Sequence, residues 1–134
     1  MSIESPMRVL VAEDNDTNIA VLSTMLEAFG CEIHLALDGQ KAVDGALEWL
    51  PDIILMDINM PNKDGVQAAI DIRARLPDPR IPIVAVTGNV TRSSRQRCED
   101  AGFDGFIEKP IDIVVLQEVL EKADRDRQVS GDAV

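Results

Sequence analysis

Five side chains in this 134-residue chain could act together, and each stands at the end of an apolar run. Glu13 and Asp14 follow Val9-Leu10-Val11-Ala12, and Asp57 follows Ile53-Ile54-Leu55-Met56. Thr87 closes Ile83-Val84-Ala85-Val86, and Lys109 comes just after Gly105-Phe106-Ile107. Three carboxylates can hold a divalent cation, and an ionised aspartate is a competent nucleophile. A lysine ammonium and a threonine hydroxyl can neutralise and hydrogen-bond the oxygens of a transferring phosphoryl group. In an open α/β sheet, ligands bind outside the carboxyl ends of the strands, so the five would share one rim. The combination points to a metal and a phosphoryl group.

The elements that must position them can be read from the hydrophobic pattern. Apolar runs alternate with helical stripes from end to end, which predicts a parallel sheet with crossover helices. Strands are predicted at 7–12, 32–37, 53–57, 81–87 and 105–108. Ile19, Leu22, Met25, Leu26 and Phe29 form a helical stripe that Gly30 stops. A second helix over 39–50 would bury Ala42, Val43, Ala46 and Leu47, and a third over 65–75 would offer Val66, Ala69 and Ile70. The last, over 112–124, has Asp112 as N-cap and turns Ile113, Leu116, Val119, Leu120 and Ala123 inward. A fourth helix, over 91–101, is nearly all polar, with Val90, Cys98 and Ala101 to hold it. Few buried contacts imply low local stability, so this is the expected moving part.

Continuously apolar strands at 9–12, 53–56 and 83–86 suit a sheet covered on both faces, while Glu32-Ile33-His34-Leu35 alternates as an edge strand does. A strand order of 2-1-3-4-5 fits, which sets Asp14 beside Asp57 at the topological switch point. The domain plan is an N-terminal extension at 1–6, one folded domain at 7–124 and a flexible polar tail at 125–134.

Bulk properties narrow the classes of partner. A formal net charge of −11 opposes direct contact with nucleic acid or an anionic membrane. No apolar run reaches the roughly 20 residues that span a bilayer, and no signal peptide is visible, so a cytoplasmic location is expected. Cys31 and Cys98 match neither a disulfide framework nor a metal motif and are read as free thiols.

Four segments taken together carry a family resemblance. They are Val9-Leu10-Val11-Ala12-Glu13-Asp14-Asn15, Ile54-Leu55-Met56-Asp57-Ile58-Asn59-Met60-Pro61 with Asp64-Gly65, Val84-Ala85-Val86-Thr87-Gly88, and Gly105-Phe106-Ile107-Glu108-Lys109-Pro110. Over about residues 7–123 the chain resembles the receiver domain of two-component response regulators. The resemblance implies a flavodoxin-like, doubly wound (βα)5 three-layer sandwich with a five-stranded parallel sheet. Asp57 would be the phosphoacceptor. Asp14 and Asp57, Glu13 through water, and the Asn59 backbone carbonyl would hold Mg2+ (or Mn2+). Lys109 would pair with Asp57 at rest and with the phosphoryl oxygens afterwards, and the Lys109-Pro110 bond would be cis. Thr87 and the aromatic Phe106 would form the switch, while Asn59 and Asn89 would tune dephosphorylation.

The resemblance also implies partners. A histidine kinase or histidine phosphotransfer protein would donate the phosphoryl group to a face that includes Thr17, Asn18, Val21 and Leu22. The surface of helix four, strand five and helix five would act on an unknown downstream protein, as a monomer or weak dimer. The Asp14-Asn15-x-x-Asn18 start and Ala28-Phe29-Gly30-Cys31 resemble hybrid-kinase receivers. The chain is then a signalling domain that catalyses only its own phosphorylation and dephosphorylation. A rival, an aspartyl-phosphate phosphohydrolase, needs a second acid two residues after the nucleophile, where Asn59 stands. A receiver kept only as a binding module is opposed by the intact set of five. Asp14-Asn15-Asp16-Thr17-Asn18 begins like a calcium loop but has Ile19 and Met25 at the positions that need glycine and glutamate. His34 is read as a surface residue, and Trp49 as remote from the rim.

Overall fold

A computed structural model describes residues 6–60, 62–78, 80–88 and 91–132. Five strands alternate with five helices in the order β1 Arg8–Ala12, α1 Asp16–Ala28, β2 Glu32–Ala36, α2 Gly39–Trp49, β3 Ile53–Met56, α3 Gly65–Arg75, β4 Ile83–Thr87, α4 Arg92–Ala101, β5 Gly105–Glu108 and α5 Ile113–Asp132. All strand pairs are parallel and the sheet order is β2-β1-β3-β4-β5. The fold is a flavodoxin-like doubly wound sandwich.

Alternation along the strands divides the core into two layers. Leu10, Ala12, Ile54, Met56, Ile83 and Ala85 face α2, α3 and α4. Val9, Val11, Ile53, Leu55, Val84 and Val86 face α1 and α5, where Leu22, Leu26, Leu116 and Leu120 meet them. Strand β2 is an edge strand whose outer residues Glu32, His34 and Leu35 are exposed. His34 lies against Trp49 at the end of α2, their ring centroids 3.8 Å apart, and the Arg8 guanidinium also covers that indole.

Helix α4 buries Cys98 and Ala101 alone among its residues. Its start is fastened by a capping box in which Thr91 Oγ1 accepts from the Ser94 N–H at 3.1 Å and Ser94 Oγ accepts from the Thr91 N–H at 2.9 Å. Thr91→Ala is expected to cost about 1 kcal/mol. With so little packing behind it, the loss should appear as faster amide exchange across α4 while β1 and β3 remain protected. Uniform protection across the domain would show instead that α4 is held by packing.

Some expectations change. Ile70 is 43% exposed and Ile113 is 44% exposed, so neither joins the core. On α3 the inward stripe is Val66, Ala69 and Ile72, and Ile70 lies one residue step around the helix from it. On α5 the inward stripe begins at Leu116 and continues through Leu120 and Ala123. Helix α5 also runs through Asp132, past the end expected at 124. The polar residues there are tied down: Arg127 pairs with Asp124 at 2.8 Å and with Asp52, just before β3, at 3.0 Å. Cys31 and Cys98 are free thiols, and burial pushes both upward, Cys31 to about 11, which suppresses their reactivity.

Candidate functional site

The strand ends bring the acidic residues to one place. Parallel register sets Ala12 opposite Met56, so the residues that follow, Glu13-Asp14 and Asp57, leave the sheet side by side. One carboxylate oxygen from each of Glu13, Asp14 and Asp57 lies within 4.8 Å of the other two. Asp14 is exposed, whereas Glu13 is 1% and Asp57 7% exposed. Strand β5 carries Lys109 to the opposite side of this cluster. Its ammonium lies 3.4 Å from Asp57 Oδ2 and 3.4 Å from Glu13 Oε2. The backbone N–H of Lys109 donates to the Thr87 carbonyl at 2.9 Å, which ties the lysine to the end of β4. The Lys109-Pro110 peptide is cis.

Thr87 is buried at the end of β4. Phe106 on β5 is half-buried against the core layer that includes Ala85 and Ala101. The guanidinium of Arg95, from α4, covers its ring at 4.9 Å from the centroid. Asn59 is exposed and its N–H donates to Asp57 Oδ1 at 3.2 Å. Asn89, Val90 and Pro61 lie outside the described residues.

On α1, Thr17 and Val21 are exposed and Asn18 is half-buried, but Leu22 is 1% exposed. Leu22 therefore cannot belong to an outward face. It shares the i, i+4 stripe with Leu26 that packs α1 onto the sheet. Asn18 has a task that sequence reasoning missed: its amide donates to Glu13 Oε1 at 2.9 Å. Asn15, the N-cap of α1, accepts from the Asn18 N–H at 3.0 Å and supplied the only sequence signal for this turn.

The electrostatics follow from burial. Glu13 binds its proton more tightly than the ordinary 4.5 implies, chiefly because burial penalises the ion and further because Asp57 repels it. Asn18 and Lys109 oppose this without cancelling it. A carboxyl raised in the folded state contributes stability below its unfolded pKa and loses it as pH rises through the folded value. The metal-free protein should therefore lose stability through Glu13 as pH climbs from about 4.5 through the raised folded value. Urea midpoints measured at both ends of that range should show the loss, and Glu13→Gln should remove it. Asp38 and Asp71, held low mainly by hydrogen bonds from the Lys41 N–H and the Lys63 side chain, act oppositely, at more acidic pH. If Glu13→Gln left this slope unchanged, the electrostatic account would be wrong.

A buried acid with a raised proton affinity and two neighbouring carboxylates, their charge only partly offset by the Lys109 ammonium, make an oxygen donor set that suits a hard divalent cation.

This rim geometry agrees with the comparisons to known proteins. The chain belongs to the response regulator receiver domain family, whose profile matches residues 9–121. It is 40% identical over 121 residues to hybrid signal transduction histidine kinase L of Dictyostelium discoideum, covering 86% of this chain and 7% of that protein. It is 36% identical to the peroxide stress-activated histidine kinase mak1 of Schizosaccharomyces pombe, covering 87% of this chain and 8% of that protein. Among solved structures it is similar to the receiver domain of sensor histidine kinase PA1611 from Pseudomonas aeruginosa, which holds a magnesium ion in its active site cleft. The TM-score is 0.83 at 35% identity, covering 90% of this chain and 98% of that one. The chain thus spans less than a tenth of the two curated kinases and nearly all of an isolated receiver domain.

Proposed function

We propose that this chain is a phosphoacceptor switch in a two-component phosphorelay, with Asp57 as the residue phosphorylated. The observation that carries the reading is the grouping of Glu13, Asp14 and Asp57 within 4.8 Å, with Lys109 3.4 Å from both Asp57 and Glu13. Asp14, Asp57 and the Asn59 carbonyl would hold Mg2+ (or Mn2+), with Glu13 acting through water. The metal, when bound, neutralises charge on the phosphoryl oxygens.

An oxygen of Asp57 attacks phosphorus as the bond to the donor's imidazole nitrogen breaks. The imidazole leaves with that electron pair, and Asp57 becomes an acyl phosphate. Lys109 then exchanges its carboxylate partner for phosphoryl oxygens. Thr87 donates its hydroxyl to another, and Phe106 repacks as the threonine moves. Moving an equilibrium from 1:99 to 99:1 takes about 5.5 kcal/mol of differential stabilisation, which several charge-assisted contacts can supply. The sparsely packed α4 is the element biased. Asn59 and Asn89 tune return by hydrolysis, in which water attacks phosphorus and Asp57 leaves as carboxylate.

The phosphodonor is a histidine kinase or histidine phosphotransfer protein that docks on the outer side of α1, around the exposed Thr17 and Val21 and the half-buried Asn18. The α4-β5-α5 surface acts on a downstream protein, and the domain works in the cytoplasm as a monomer or weak dimer. No helix among the described residues is long and apolar enough to cross a membrane. The domain turns over only its own phosphoryl group. Substitutions at Thr17 and Val21 should alter the choice of kinase while leaving phosphorylation by acetyl phosphate intact. Loss of both together would count against docking there.

Intact mass after incubation with acetyl phosphate tests the reading. One added phosphoryl group that requires Mg2+ is expected. If neither acetyl phosphate nor a beryllofluoride titration changed the protein, a binding-only receiver would replace it.

A further inference from the structure

Between β3 and α3, residues 57–60 and 62–64 lead from Asp57 through Asn59 to the start of α3, so their path sets part of the metal site. The segment is held from two directions. At its end, Gly65 lies against Asp57 itself, where any side chain would strike the Asp57 carbonyl, and its N–H donates to the Ile58 carbonyl at 2.8 Å. Its outer part leans on α2. Asp38 is the N-cap of α2 and accepts from the Lys41 N–H at 2.8 Å through one carboxylate oxygen. Its other oxygen accepts from the Asn62 side-chain amide at 2.9 Å. Asn62 stands in the left-handed region, φ 66°, which asparagine tolerates better than most residues.

At the next residue the Lys63 carbonyl approaches Gly39 so closely that a side chain at 39 would collide with backbone. Lys63 in turn pairs with Asp71 of α3. Capping α2 needs only one oxygen of Asp38, and the first turn of a helix does not need a glycine. Both features are accounted for by the loop that rests on them.

We infer that Asp38, Gly39 and Asn62 are positioning residues for the divalent-metal site. Through them the N-terminus of α2 buttresses Asn62 and Lys63 and so fixes the Asn59 carbonyl relative to Asp57 and Asp14. Supports of this kind, one layer behind the ligands, set metal affinity without touching the ion. The inference rests on the metal-binding reading above.

Calorimetric Mg2+ titration of the full chain tests it, alongside urea unfolding of each metal-free variant. Asn62→Gly keeps the left-handed backbone accessible and deletes only the neutral amide that reaches Asp38. Asp38→Asn keeps an oxygen for the Lys41 N–H but turns an NH2 toward Asn62. Gly39→Ala displaces the Lys63 carbonyl. Mg2+ binding should weaken about 10-fold in Asn62→Gly and Asp38→Asn, and further in Gly39→Ala. The unfolding midpoint of Asn62→Gly should stay near that of the unsubstituted chain, which a merely structural role would not separate from affinity. Asn62→Gly carries the test should Gly39→Ala fail to fold. Unchanged affinity in Asn62→Gly and Asp38→Asn would overturn the buttress and leave the metal reading intact. An unsubstituted chain that took up no Mg2+ would overturn both.

Discussion

Asp57→Asn is expected to take up no phosphoryl group from acetyl phosphate and, in metal-free buffer near pH 7, to be more stable by about 1–2 kcal/mol. The first effect follows from chemistry, since a carboxamide is not a nucleophile toward phosphorus. The second follows from the site's own charges. Glu13 and Asp57 are both nearly excluded from solvent, and one ammonium at 3.4 Å serves the two of them. Asp57 is among the causes that hold the Glu13 proton affinity up, so the carboxylates oppose one another in the folded state. The amide keeps an oxygen for the Asn59 N–H and removes the repulsion. Added Mg2+ should narrow the gap, because the cation binds the carboxylates of the unsubstituted chain and stabilises its fold by mass action. Urea unfolding in EDTA and in excess Mg2+, paired with intact mass, measures both effects. A variant less stable than the parent without metal would mean that Lys109 already balances the cluster.

Arg73→Met is expected to destabilise the domain by about 3–5 kcal/mol while leaving the rim chemistry intact in the folded fraction. Arg73 projects from α3, with its side chain 15% exposed, into the end of the sheet opposite the rim. Its guanidinium donates to the Gly102 carbonyl at 2.9 Å, to the Ile81 carbonyl at 2.6 Å and to Asp104 at 2.8 Å. Asp104 also accepts from Arg80 at 2.6 Å and from the Ile83 N–H where β4 begins, at 2.9 Å. Burial makes the Arg73 guanidinium hold its proton less tightly, and the nearby Asp104 charge offsets part of that. Methionine fills similar space but strands two carbonyls and unbalances the carboxylate, which costs more than the lost contacts alone. Urea midpoints give the size of the loss. A change below about 1 kcal/mol would show that water replaces the guanidinium freely.

Much of the fold was legible because period and position agreed. The continuous apolar runs of β1, β3 and β4 read as strands buried on both faces, and they are the three inner strands of the sheet. The rim residues were legible because strand ends in a parallel sheet point one way, so a residue's place in the run told its place in space. Failures occurred where a stripe offered one apolar residue too many. Ile70 and Ile113 match the helical period loosely, and only packing against the sheet decides which side of the stripe is inward. For Leu22 the two readings conflict: the helical stripe with Leu26 points it inward, as the fold has it, and only the face implied by resemblance turns it outward. The length of α5 was hidden because Asp124 and Arg127 look like solvated tail until Asp52 is seen across from them. The bond from Asp38 to Asn62 joins residues 24 apart in sequence, which no local pattern encodes.

Helix α5 can also be regarded as a beam fastened to the sheet. Its near end, at Ile113, follows the loop that holds Lys109, and farther along Arg127 is paired with Asp52, just before β3. At 1.5 Å per residue, the span from Ile113 to Arg127 is about 21 Å, and Leu116, Leu120 and Ala123 pack it against the sheet along the way. Helix α5 is thus held along its length, whereas α4 rests on Cys98 and Ala101 alone among its residues.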